Sequence, residues 1–195
     1  SQLIEEVIME NSPFKNIYKA LLISARDVKN VICNDHIKAV SLTGSEEAGS
    51  SVAEISGREI KKIVLELGGS DPFIVLSDAD IEKASKVAVS ARFFNAGQSC
   101  IAAKRFLVHE EIYECFIENV SACINNLKVG DPMDEKTQIG PLAKKEFVDD
   151  LNKMVQSSID DGAKCLIGGK MDDTSIYSPT LLVDVKEDMD VFKKE

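Results

Sequence analysis

Apolar positions along the chain follow two spacings in turn. Helical intervals run through 2–11 (QLIEEVIMEN), 26–33, the stretch from Ser45 to Gly57, 81–94 (IEKASKVAVSARFF), 111–127 and 145–160. Between them lie apolar runs of strand length: 17–23 (IYKALLI), 37–42 (IKAVSL), 61–69 (KKIVLELGG), 72–76 (PFIVL), 104–109 (KRFLVH), 164–169 (KCLIGG) and 180–185 (TLLVDV). Ser45 is placed to cap the third helix, and Asp78 or Asp80 the fourth. Gly68, Gly69 and Pro72 separate two strands, and 130–144 is a loop marked by glycine and proline. Strands alternating with helices predict an α/β fold with a largely parallel, helix-flanked sheet. The pattern restarts after Gly69, which puts a domain junction near 66–70.

Composition narrows the function classes. A chain of 195 residues suffices for one or two domains with a hydrophobic core. The net charge of −10 excludes a phosphate-tracking nucleic-acid surface, which needs clustered lysine and arginine. No apolar run approaches the length of a membrane span. The five cysteines form no CxxC pair and have only His36 and His109 to join them, so no zinc site is expected. Free thiols without a secretion pattern point to the cytoplasm.

Three short stretches hold candidate chemistry, and each also has a plain explanation. In LTGSEEAG (42–49) a strand ends at a glycine turn and a helix begins. Helix N-termini bind phosphate through amides that lack a helical acceptor, yet a capped strand–helix turn looks the same. The stretch lacks the Lys-Ser/Thr of a P-loop and the spacing of GxGxxG. In LELGGSDP (65–72) Glu66 interrupts an apolar strand, as a carboxylate serving a cavity or as an ordinary solvated residue, and Gly68–Gly69 permits close backbone approach. In FFNAGQSC (93–100) a glycine turn leads to Cys100, which is either a reachable nucleophile or a small core residue like Cys115 and Cys123. No histidine lies nearby to form a papain-like pair.

Taken in order, LTGSEEAG, ELGGSDP and FNAGQSC resemble the aldehyde dehydrogenase superfamily, and the resemblance continues through KVGDPMDEKTQIGPL and YSPTLLVDV. ELGGSDPFIVLSDAD and AAKRFLV look most like the succinate-semialdehyde dehydrogenases of bacteria and archaea. The resemblance implies that 1–66 is the C-terminal part of a Rossmann-like dinucleotide-binding domain and that 67–195 belongs to the catalytic domain. It implies NAD or NADP as cofactor, an aldehyde as substrate and a homo-oligomer as the full-length assembly. Cys100 would add to the aldehyde, giving a thiohemiacetal that loses hydride to nicotinamide and becomes a thioester. Glu66 would activate the water that releases the acid, and the Cys100 amide would hold the oxyanion. Thr43, Gly44, Ser45 and Gly49 would line the dinucleotide, the Leu67 carbonyl would meet the nicotinamide amide, and Glu195 would bind the nicotinamide ribose.

The resemblance also has departures. The family's oxyanion asparagine and its adenine-ribose lysine and glutamate lie before residue 1, so the resemblance implies an excised piece, inactive by itself. Several succinate-semialdehyde dehydrogenases carry an arginine where this chain has Phe94, which keeps medium-chain aldehydes open as substrates. Arg92 is close by, but positions two apart on a helix face differently. A non-catalytic module reusing the fold has no need of both Glu66 and Cys100. A relative that passes its acyl group to coenzyme A would have no use for the Glu66 base.

Overall fold

A computed structural model describes residues 1–14, 16–172 and 175–194. They form two compact units, 1–67 and 68–195. Among the described residues no helix is long and apolar enough to cross a membrane.

The first unit contains α1 (Gln2–Asn11), α2 (Val28–Ile32), β1 (Ala39–Thr43), α3 (Glu46–Arg58) and β2 (Lys62–Glu66). β1 and β2 are parallel, in register from Ala39 opposite Lys62 to Thr43 opposite Glu66. Parallel neighbours need a crossover, and α3 supplies it. Its buried residues Gly49, Val52 and Ser56 recur at helical spacing, while both strands half-bury alternate residues. That alternation leaves Glu66 on the exposed face with Lys62 and Val64. The Lys61 ammonium donates to the Ile32 and Asn34 carbonyls, satisfying the end of α2.

The predicted strand at 17–23 is not a strand. Its backbone joins no ladder among the described residues, and Leu21, Leu22 and Ile23 are exposed. Local pairing takes over instead: Lys19 Nζ and the Ala20 amide both donate to the Glu5 carboxylate of α1. The Lys19 bond, with the Ala20 amide, holds the Glu5 carboxyl below the usual glutamate range.

The second unit holds β3 (Asp71–Val75), α4 (Ile81–Phe93), β4 (Ala103–Val108), α5 (Tyr113–Asn125), α6 (Lys145–Asp160), β5 (Lys164–Ile167), β6 (Leu181–Val183) and α7 (Asp190–Lys193). β3 and β4 are parallel, with a register shift between Asp71 and Pro72, where proline has no amide to give the ladder. α4 is capped by Asp80, whose carboxylate accepts from the Lys83 amide at 3.1 Å. α4 and α5 close over Val75 with Ala88, Val89, Phe116, Val120 and Ile124. The four-residue spacing of Phe116, Val120 and Ile124 marks one helix stripe. Burying each such side chain contributes about 1.5–3 kcal/mol.

A second core joins Val148, Val155 and Tyr177. Burial pushes the Tyr177 phenol up to about 12. β5 and β6 run antiparallel, which departs from the all-parallel trend. The Ser158 hydroxyl donates to the Met154 carbonyl and accepts from the Val191 amide, tying α7 to α6.

Candidate functional site

The first unit gathers five of the eight candidate residues at the C-terminal ends of its two strands, and a sixth, Gly49, one turn into α3. Thr43 stands opposite Glu66 in the ladder, and the Gly44 amide donates to the Glu66 carbonyl at 3.0 Å. Ser45 then caps α3, its hydroxyl accepting from the Ala48 amide at 3.3 Å. The remaining first-turn amides have no helical acceptor, and Glu46 and Glu47 complement the positive end of the helix. Thr43, Gly44, Ser45 and Glu66 are all exposed. Crevices at the carboxyl ends of parallel strands are where open α/β sheets take ligands.

Gly49 is buried one turn into α3. A Cβ there would lie 2.6 Å from Leu67 Cδ2 and 2.8 Å from Cδ1. The glycine therefore lets Leu67, the residue after β2, pack against the helix. Thr43, Gly44 and Ser45 form the exposed turn in front of this contact, while Gly49 and Leu67 pack against each other behind it. Glu195, the other cofactor candidate, lies outside the described residues.

Cys100 belongs to the second unit, on a turn built between α4 and β4. Asn95, Ala96 and Gly97 take positive φ in succession, at 52°, 55° and 80°. Such a conformation costs about 1–3 kcal/mol for each non-glycine residue, so neighbours must hold it. Arg92, in the last turn of α4, donates from Nη2 to the Gly97 carbonyl at 3.1 Å and from Nη1 to the Ala103 carbonyl at 3.4 Å. The Gln98 side chain donates to the Asn95 carbonyl and accepts from the Ala143 amide at 2.9 Å. The Ala102 amide closes on the Ser99 carbonyl, which leaves Cys100 exposed just before buried Ala102 and Ala103.

Gly69, the second glycine of the pair, lies against the Cys100 backbone. A Cβ on Gly69 would come within 3.2 Å of the Cys100 carbonyl oxygen. Lys104 donates to the Gly69 carbonyl, and Arg105 reaches the Ser70 carbonyl with Nε at 2.9 Å and Nη2 at 2.5 Å. The Gly69–Ser70 backbone is thus strapped to β4, immediately after the cysteine turn. Sequence reasoning missed Arg92, Gln98, Lys104 and Arg105 as supports. Only the basic residues flanking the cysteine stretch hinted at them.

The aldehyde dehydrogenase family model matches residues 5–195, nearly the whole chain. The chain belongs to the aldehyde dehydrogenase family. An NADP+ succinate-semialdehyde dehydrogenase of Mycolicibacterium paratuberculosis is 44% identical over 194 residues, which are 98% of this chain and 41% of that protein. The chain therefore spans about two-fifths of the curated relatives it matches. The structure of a Streptococcus pyogenes succinic semialdehyde dehydrogenase in complex with NADP+ matches with a TM-score of 0.94 and 36% identity, covering 100% of this chain and 43% of the other. A Pseudomonas syringae aldehyde dehydrogenase C mutant, solved with NAD+ and octanal, matches with a TM-score of 0.83 and 30% identity, covering 86% and 36%. The parallel strand pairs are those of the aldehyde dehydrogenase fold.

Proposed function

We propose that the full-length protein carrying this segment oxidises succinate semialdehyde to the acid with a nicotinamide dinucleotide, using Cys100 as nucleophile and Glu66 as base. Residues 1–66 form the end of the cofactor domain and 67–195 the catalytic domain of a cytoplasmic homo-oligomer. The observation that carries the reading is the cysteine turn: a strained backbone, tethered from α4, presents the Cys100 thiol to solvent. A purely structural cysteine has no use for that arrangement.

The Cys100 sulfur bonds to the aldehyde carbon, and the Cys100 amide faces the oxygen that gains charge. Oxidation leaves the acyl group on the sulfur as a thioester. Glu66, exposed at the end of β2, takes a proton from water, whose oxygen attacks that thioester and frees the thiolate. A dinucleotide held by Thr43, Gly44, Ser45, Gly49, Leu67 and Glu195 supplies the hydride acceptor for the oxidation. NADP is the preferred form, following the NADP+ named for the relatives.

One observation favours a second substrate class. Phe94 is 70% exposed beside the cysteine turn, an apolar side chain where some relatives place an arginine. Medium-chain aldehydes, of which octanal in the Pseudomonas structure is one, suit such a neighbour. Steady-state assays of the full-length protein with both aldehydes and both dinucleotides separate the two readings. Cys100→Ala should abolish turnover with every aldehyde. Unimpaired turnover by that variant would overturn the nucleophile assignment.

A further inference from the structure

We propose that Arg92 is a positioning residue for Cys100, a clamp on the nucleophile turn and not a partner for the substrate's distal carboxylate. The proposal rests on the reading of Cys100 as the nucleophile. Arg92 leaves the last turn of α4 half-buried, and its guanidinium bonds to one carbonyl before the cysteine, at Gly97, and to one after it, at Ala103. The segment 98–102 is therefore bracketed by a single planar group. Only a guanidinium fork presents donors at such fixed separation, since an ammonium is a compact point charge on a flexible stem.

The backbone shows why a clamp is needed. Asn95, Ala96 and Gly97 are all left-handed, a run that does not persist without surrounding constraints. Gly97 is also fitted to the clamp: a Cβ there would lie 2.6 Å from Arg92 Nη2 and 3.2 Å from Cζ. Gln98 ties the turn to Ala143 as well, but it holds one side only. Loss of the guanidinium releases both carbonyls and lets the sulfur move relative to its substrate.

The test uses the full-length protein with Arg92→Gln and Arg92→Lys, each assayed with succinate semialdehyde and with neutral hexanal. A misplacement of 1 Å can cost about 10²-fold in rate, so kcat should fall by about tenfold or more for both aldehydes, with KM little changed. Lysine should restore only part of the loss. A rise in KM confined to succinate semialdehyde would make Arg92 a carboxylate partner and overturn the proposal, as would unchanged kinetics.

A second measurement needs no catalysis. Limiting iodoacetamide, followed by peptide mapping, compares Cys100 with Cys115, which the sequence reading put in the core but which α5 turns outward because its buried stripe is Phe116, Val120 and Ile124; it serves as reference within the same molecule. Arg92→Gln and Gly97→Ala should each change the Cys100 rate several-fold while leaving Cys115 unaffected. Equal ratios in wild type and variants would overturn the clamp. Should Cys100→Ala retain turnover, the nucleophile assignment fails by itself, and the labelling ratio still reports whether Arg92 holds the turn.

Discussion

The Cys100 backbone and the backbone on either side of it are held by different parts of the second unit, while the residue itself is exposed. The Cys100 carbonyl meets Gly69, while the flanking carbonyls meet Arg92. A substitution near this residue therefore acts through backbone placement as much as through side-chain chemistry. Glu66 differs, because its carboxylate is exposed while its own carbonyl accepts from Gly44. Replacing the carboxylate leaves that backbone bond intact. Glu66→Gln in the full-length enzyme should spare acylation and slow deacylation by about 10²–10⁴, the usual contribution of a general base. Rapid-mixing absorbance at the reduced-cofactor band should show a burst followed by a slow steady state. A steady state equal to wild type would mean that another group activates the water.

Among the elements, α3 couples packing to the proposed cofactor end of the first unit through Gly49. Alanine is about 1 kcal/mol better than glycine inside a helix. Here its Cβ would lie well inside contact distance of Leu67, and overpacking of this kind costs about 1–3 kcal/mol. The two effects largely offset, since the methyls of Leu67 can turn aside. Gly49→Ala should therefore shift the melting temperature little while weakening NADP+ binding, because Leu67 carries the carbonyl assigned to the nicotinamide. Calorimetric titration with NADP+ checks this, and unchanged affinity would separate Leu67 from the cofactor.

The same scale shows what local sequence reports. Helix α6 occupies 145–160 as its spacing predicts, and the caps at Ser45 and Asp80 are made. Each depends on residues within one or two turns. The run at 17–23 has equal strand character but no partner strand among the described residues, so it stays out of any ladder.

Across the two units, large apolar side chains such as Leu22, Ile60, Ile101 and Met133 lie exposed. The described strands pair only two at a time, leaving open edges. Dinucleotide sheets are built from about six strands, and the first unit shows two among its described residues. The 195-residue chain alone should therefore self-associate and fail to reduce NADP+ with succinate semialdehyde. Light scattering and an absorbance assay on the purified chain test both points. Turnover by a monomer would mean that these residues hold a complete site.

By itself the sequence determined the elements whose causes are local: helix spans from apolar spacing, caps from single polar residues, and the order of three motifs that placed the chain in its family. It also singled out Cys100 and Glu66 as residue types out of keeping with their surroundings. Tertiary structure alone decided that 17–23 is no strand, that β5 and β6 run antiparallel, that the turn before Cys100 is left-handed, and that Arg92 reaches across it. The reason is physical. A helix satisfies its hydrogen bonds within a few residues, whereas a strand needs a partner and a strained turn needs a clamp, and both come from residues that periodicity does not connect.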